Sequence, residues 1–378
     1  MYWQQRYLKY KKDFDSSTTG LETVDLPKLG LLSGLELRVE GTNGATVASP
    51  DVWIHDRLKK IELIVNGSKV VKSFSGNQLL ADMLYKKTPI ASHDMKNLPS
   101  GSGQEVFYIN FGRFYHDPEF MLDLSKVNDP ELRIDYDFGM DGANGWDNGV
   151  AMAAAPSLTV IPHILREPLG APRGYIKTSE VYRFTSGNSK KENMKLPIGP
   201  LYAMLYLQCF YASHGFVTDI DHVELNLNND AIIPYRVDYM DILQQLARKF
   251  GLFELSQQCY LTGGQAYPFP IEAGEFYGRS AEGQDALLAG GDIWGCAANA
   301  QYTVLSTQAA GDGSINFYVT YKGVLPFSVA AIPVFDLMDE GTWIDSKVLG
   351  DFWLRVEQDA SAESSIVKLL ADEVVTEY

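Results

Sequence analysis

Cysteine is scarce in this chain of 378 residues, and the three present, Cys209, Cys259 and Cys296, are odd in number with no CxxC spacing. That excludes a disulfide framework and a zinc site of recognisable spacing, and leaves small buried residues as their reading. Catalytic signatures are missing too. The six histidines, His55, His93, His116, His163, His214 and His222, form no HxH or HExxH, and there is no GxSxG elbow and no GxxxxGK[ST] loop. The sequence therefore predicts no enzyme, no cofactor and no bound metal of those kinds. Basic residues are outnumbered, 32 against 48 acidic, and the net charge of −16 opposes a phosphate backbone, so direct sequence-specific nucleic-acid binding is not expected. The opening "MYWQQRYLKYKKDF" lacks the apolar core of a signal peptide, which predicts a protein that stays in the cell that makes it. Leu196 to Thr218 has no Asp, Glu, Lys or Arg and is as long as a membrane span, but two prolines, two glycines, Gln208, Ser213 and His214 argue for a buried strand with its connections.

What the chain does have is aromatic residues, at 12%, and 33 glycines, which suit β-strands joined by many turns. Its length is comfortable for two domains. The stretch "KKIELIVNGSKVV" from Lys59 has a partner in "DHVELNLNNDAII" from Asp221. Ile61, Leu63 and Val65 match Val223, Leu225 and Leu227 at a constant separation of 162 residues, with Glu62 matching Glu224 and Asn66 matching Asn228. Alternation with period two puts the apolar triplet on one face and the glutamate on the other, the pattern of a half-buried strand. Asn66-Gly67 and Asn228-Asn229 then supply residues that tolerate positive φ in a hairpin turn. At the same separation Leu80 and Leu84 match Ile242 and Leu246, and their i, i+4 spacing predicts a short helix after each hairpin, with Asn77 or Asp238 near its N-cap.

Upstream, Leu26 and Pro27 match Leu196 and Pro197, and Phe14 matches Phe184, at a separation of 170; downstream, Ser125-Lys126-Val127 match Ser346-Lys347-Val348 at 221, and Arg133 matches Arg355 at 222. The growth from 162 to 222 places about 60 extra residues in the second copy, a length at which a loop usually has a purpose. The chain thus reads as an arm over 1–20, a first unit over 21–165, a linker over 166–180 and a second unit over 181–378 with an insertion around 251–312. The predicted class is all-β: two tandem antiparallel jelly-roll sandwiches with short helices in the loops.

Two such units, each opening with an "LP…G" strand and carrying an alternating hydrophobic-Glu-hydrophobic hairpin that ends in Asn, resemble the double jelly-roll major capsid proteins of icosahedral viruses. "LPKLGLLSGLELRVEGT", "RLKKIELIVNGSKVVKSFSGNQLLADMLY" and "FGRFYHDPEFMLDLSKVNDPELRIDYDF" are most similar to the members from tailless, lipid-containing phages. The resemblance covers about half of the chain and carries no catalytic signature. It implies a homotrimer whose six similar lobes tile as a pseudo-hexagon in the virion shell, assembled in the host cytoplasm. It also implies neighbouring capsomers and minor or penton proteins as partners, and an inner lipid membrane. The insertion would then be an outer crown or an intersubunit clasp, or else a solvated loop.

Two local features add to this. Arg6, Lys9, Lys11 and Lys12 precede the first acid, interleaved with Tyr2, Trp3 and Tyr7, an inversion of charge in an acidic protein. Interfacial aromatics and basic residues suit an anionic bilayer, at about 1 kcal/mol per near-surface basic side chain, so the arm is expected to face a membrane or to dock on a neighbouring subunit. Asp141, Asn144, Asp147 and Asn148 offer oxygens to calcium, but their spacing departs from the EF-hand loop and no terminal Glu follows, which favours a glycine-rich connection. Asp135 and Asp137 share a strand face, and a carbohydrate-binding or carbohydrate-hydrolysing β-sandwich is the alternative of a different class; a minor capsid or spike protein of the same fold is another. If the arm meets lipid, the full-length protein should float with anionic liposomes and a variant lacking residues 1–12 should not. Equal flotation of the two, or none by either, excludes that role.

Overall fold

The computed structural model describes residues 1–14, 19–42, 54–88, 102–138, 156–168, 170–211, 214–262, 266–270, 276–282, 293–298, 301–306 and 314–376. In the first half, strands β1 (Tyr2–Gln5), β2 (Lys9–Asp13), β3 (Thr19–Asp25), β4 (Leu31–Thr42), β5 (Leu58–Val65), β6 (Lys69–Phe74), β7 (Ser102–Asn110), β8 (Leu122–Asp123), β9 (Glu131–Asp137) and β10 (Ser157–Arg166) surround helices α1 (Ile54–Arg57) and α2 (Gly76–Tyr85). The second half supplies β11 (Tyr175–Gly187), β12 (Lys191–Lys195), β13 (Leu201–Tyr211), β14 (His214–Gly215), α3 (Phe216–Asp219), β15 (Ile220–Leu227), β16 (Ile232–Asp238) and α4 (Tyr239–Phe250). After the insertion come β23 (Val329–Ala331), β24 (Ile344–Asp345), β25 (Phe352–Gln358) and β26 (Glu363–Val375). The insertion itself forms two three-stranded antiparallel sheets from β17 (Phe253–Thr262), β18 (Ala266–Pro270), β19 (Phe276–Glu282), β20 (Ile293–Ala298), β21 (Gln301–Ser306) and β22 (Ser314–Gly323).

The two halves repeat one topology. One sheet runs β3-β9-β5-β6 in the first roll and β12-β25-β15-β16 in the second; the facing sheet runs β1/β2-β10-β4-β7 and β11-β26-β13-β23. The registers agree residue by residue. Ile61, Glu62 and Leu63 face Ile134, Arg133 and Leu132, and Val223, Glu224 and Leu225 face Val356, Arg355 and Leu354. The apolar members of both sets are buried in the cores, while the Glu–Arg pairs stay on the outer face, with Arg355 Nη1 3.3 Å from Glu224 Oε1. Each fully buried aliphatic side chain here contributes roughly 1.5–3 kcal/mol. Asn66 and Asn228 both sit at φ 54°, and each accepts, through its side-chain oxygen at 2.7 Å, the backbone N–H of the turn before the neighbouring strand, from Asn128 and Gly350 respectively. The left-handed backbone and the short amide together explain why asparagine is there.

Two details differ from the sequence reading. Asp123 and Asp345 both cap one-turn helices, accepting from the N–H two residues on, so the structural separation is already 222 there and the Ser-Lys-Val match at 221 is out of step by one. The cap of α2 is Ser75, not Asn77: its hydroxyl accepts from Gln78 N and the Gln78 side chain returns to Ser75 N, a capping box, leaving Asn77 to donate to Asp56 at 2.9 Å. Asp238 caps α4 as expected. The arm also lies within the fold, as β1 and β2 paired antiparallel to β10, in the position that β11 occupies on β26. The charge-free stretch from Leu196 is β13 and its flanking turns, and no helix among the described residues is long and apolar enough to cross a membrane. The Ser75→Ala substitution should lower the free energy of unfolding by about 1 kcal/mol in a denaturant titration, and Ser75→Asn should recover most of it; an unchanged Ser75→Ala protein contradicts the cap.

Candidate functional site at the junction of the rolls

The first roll meets the second through an edge strand and a helix. Thr178 on β11 pairs in parallel with Lys72 on β6, so one sheet continues from roll to roll in the order β3-β9-β5-β6-β11-β26-β13. Helix α2 then lies against the outer face of β13 and β26, bringing charged side chains into a water-free space. Lys72, Asp82, Lys86 and Asp372 are all buried, two cations against two anions. Lys72 Nζ donates to Thr178 Oγ1 at 2.8 Å, and Thr178 in turn donates to Asp372. Lys86 Nζ stands 2.6 Å from Asp82 Oδ1 and 3.2 Å from Asp372 Oδ2, and Tyr206 donates to the same Asp372 oxygen at 3.1 Å. Around them Gln78 donates to Gln208 at 2.8 Å and the Tyr85 hydroxyl to the Val329 carbonyl at 2.7 Å. A cavity of about 10 Å³ lies between Asp82, Thr178 and Tyr206.

The electrostatics follow from burial. Desolvation, aided by repulsion from Lys86 and opposed by Asp372 and Asp82, pulls Lys72 down to about 7. Desolvation also works against the Lys86 charge, but Asp372 and Asp82 outweigh it and hold that pKa above the usual lysine value. Asp82 is raised by its burial, and Tyr206 well raised by burial and Asp372. Such a cluster adds little net stability compared with apolar packing, but deleting one member strands a buried charge at about 3–5 kcal/mol. Its value is selectivity: few relative positions of the rolls bring these opposite charges within reach of one another.

The arm residues divide into two sets. Lys9 and Lys12 both pair with buried Glu22, the latter at 3.6 Å, and Lys11 pairs with Glu40 at 3.1 Å. Trp3 stacks on His116 with ring centroids 4.0 Å apart, and Tyr115 stacks on the opposite face at 3.9 Å. His116 Nε2 lies 2.9 Å from His163 Nδ1, which also contacts Gln5 Nε2 at 3.1 Å; burial, then His163, lowers the His116 pKa to about 4. Tyr2, Arg6 and Tyr7 remain exposed. The weak calcium candidates Asp141, Asn144 and Asp147 fall outside the described residues. A different trio, Asp221, His222 and Glu357, brings ligand atoms within 4.8 Å of one another, but Lys191 Nζ is 2.5 Å from Glu357, a cation already in place.

Strand directions sort the connections between two ends. Short turns at Leu26–Gly30, Asn66–Ser68 and Val127–Pro130, with their counterparts at Leu196–Pro200, Asn228–Ala231 and Leu349–Asp351, gather at one end together with Met1, and Leu29, Ile198, Ile232 and Val348 are exposed there. The longer connections 43–53 and 139–155 leave from the other end.

No protein-family model and no curated protein sequence matches the chain. Solved structures do. The structure of Sulfolobus turreted icosahedral virus contains a chain with a TM-score of 0.62 at 12% identity, covering 100% of this chain and 91% of that one. The major capsid protein P2 of bacteriophage PM2 gives 0.51 at 12% identity, covering 98% of both. The PBCV-1 virus capsid gives 0.57 at 8% identity, covering 98% of this chain and 92% of that one. The chain has the double jelly-roll fold of viral major capsid proteins. The match runs over nearly the whole length of the chain, so the all-β tandem architecture expected from the repeat stands.

Because folded Lys72 binds a proton less readily than unfolded lysine, the unfolded chain holds more protons between pH 7 and 10, and this group's contribution to stability rises with pH across that window, by up to about 1.4 kcal/mol per unit. Guanidinium unfolding at pH 7 and 9 should show a rise for the native chain that the Lys72→Met variant lacks; parallel behaviour of the two excludes a depressed Lys72.

Proposed function

We propose that the protein is the major shell protein of an icosahedral virus, acting by self-association into pseudo-hexagonal homotrimers that tile the capsid. The observation that carries this is the repetition of strand order and register in both rolls, which gives one chain two near-equivalent lobes. Three chains around a threefold axis present six such lobes, and a closed lattice can then be filled by one gene product. The structurally similar proteins, described as a major capsid protein and as a virus capsid, support the same reading.

The reading has an orientation. With strands upright in the shell, the end bearing the long connections is the outer crown, and the tight-turn end faces inward. Exposed Met1, Tyr2, Leu29, Ile198 and Val348 at that end, with Arg6 in the arm, are the surface offered to an internal membrane. Neighbouring capsomers and minor or penton proteins complete the partners, and the chain's place is the virion. The role is architectural, with association driven by buried apolar and aromatic surface.

Light scattering across a size-exclusion peak tests this. Three chains of 42.1 kDa make a particle of about 126 kDa, and negative-stain images of that peak should show a hexagonal outline. A 42.1 kDa monomer at high concentration contradicts the proposal.

A further inference from the structure

The repeat lets the contact within one chain be read as a template for the contact between chains. In the first roll, the edge of β6 is covered by β11 and the outward face of α2 is buried on β13 and β26. Among the described residues the same elements of the second roll, β16 and α4, have no such cover: β16 is the last strand of its sheet, with Ile232 and Ile233 51% and 46% exposed, and Asp241, Gln244 and Arg248 are exposed along one side of α4. At the opposite flank, the first roll presents the sheet that corresponds to β11-β26-β13, namely β1/β2-β10-β4. Its outward groups are aligned with those of the junction, with His163 covered within the chain by Tyr115 and His116, and with half-buried Glu36 3.8 Å from His163 and Arg38 3.0 Å from Glu40. Gln5 stands opposite His163 in β10 as Thr178 stands opposite Asp372 in β26, and Glu36 and Arg38 stand opposite Ile161 and Thr159 as Tyr206 and Gln208 stand opposite Leu370 and Lys368.

We infer that β16 and α4 of one chain dock on β1/β2, β10 and β4 of a second copy, repeating between chains the junction that β6 and α2 make with β11, β26 and β13 within a chain. The inference rests on the proposed trimer and names the surfaces that close it. Charge supports the choice of occupant. With the N-caps Ser75 and Asp238 superposed, a separation of 163 that puts Leu79 and Met83 rather than Leu80 and Leu84 opposite Ile242 and Leu246, Gln78 corresponds to Asp241 and Tyr85 to Arg248. Within the chain Gln78 bonds Gln208, and the Tyr85 ring lies 5.6 Å from that of Tyr206. The corresponding pairs between chains are Asp241 with Arg38 and Arg248 with Glu36, and both bring opposite charges together. The neutral Gln78–Gln208 and Tyr85–Tyr206 contacts, which flank the buried charges of the inner junction, are thus replaced by two complementary ion pairs at the outer one, as suits a surface that is solvated before assembly. The contact is heterologous; with a rotation of about 120° between copies it closes as a ring of three, and alternation of the inner and outer junctions then gives six lobes from three chains.

The test uses the full-length chain in three forms: native, Ile233→Asp and Arg248→Glu, both substitutions at exposed positions outside the cores. Light scattering over a dilution series should find the native protein trimeric and each variant dissociating at a concentration at least about 100-fold higher, with unchanged circular dichroism and melting temperature of the monomer. The Glu36→Arg, Arg248→Glu double variant should regain trimers. A native trimer with both single variants equally trimeric overturns this assignment of surfaces while leaving the shell role intact. A native protein that never forms trimers overturns the shell role and this inference with it.

Discussion

The structure turns on the ion pair that Lys86 makes with Asp372 across the junction, and on the rule that a charge taken out of water must find its opposite. Neither roll can bury its own half alone. Asp82 and Lys86 lie one helical turn apart on α2 and partly satisfy each other, but Lys72 on β6 adds a second buried amine, its proton loosened by burial, and Asp372, 286 residues beyond Lys86 in the sequence, supplies the second anion. Thr178 relays between Lys72 and Asp372, and Tyr206 holds the remaining carboxylate oxygen. A sliding or rotated arrangement of the rolls would leave at least one of these groups unpaired, which is why a polar junction selects one geometry where an apolar one tolerates several.

In the proposed trimer that single geometry matters, because a tile must be rigid. If the rolls of each chain could rotate against one another, the six lobes of a trimer would not keep equal spacing, and lattice contacts on successive edges would differ. The continuous sheet through β6 and β11 fixes the distance between the rolls, and the buried charges fix the angle. The same logic extends outward. A flank that corresponds to the inner junction but carries Arg248 and Asp241 in place of Tyr85 and Gln78 can remain in water until it meets a second copy.

The hairpins were legible in the sequence for a plain reason. Alternation with period two and an asparagine in left-handed conformation are local requirements, and Ile61, Leu63, Asn66 and their counterparts satisfy them without help from the rest of the chain. Boundaries were less legible. A residue identity can arise one position out of step, as with Ser-Lys-Val, whereas the hydrogen bonds of Asp123 and Asp345 mark the true correspondence. The arm was read as a separate basic segment because composition shows charge but not pairing; in the fold its lysines answer Glu22 and Glu40 on neighbouring strands. The junction was invisible. Lys72 sits in "SKVVKSF" as any surface lysine would, and nothing local tells that β11 will cover it. The one available signal was its position on a strand whose partner in the second copy, Ile232 to Asp238, is otherwise apolar at its start.

If one chain builds two alternating copies of the same contact, one within itself and one with its neighbour, a cryo-electron microscopy map of the purified trimer will show both. In it β16 and α4 should superpose on β6 and α2 when the sheet of the adjacent chain's first roll is superposed on β11-β26-β13. A trimer in which β16 and α4 face solvent, or an assembly joined through a twofold contact, would contradict that repetition.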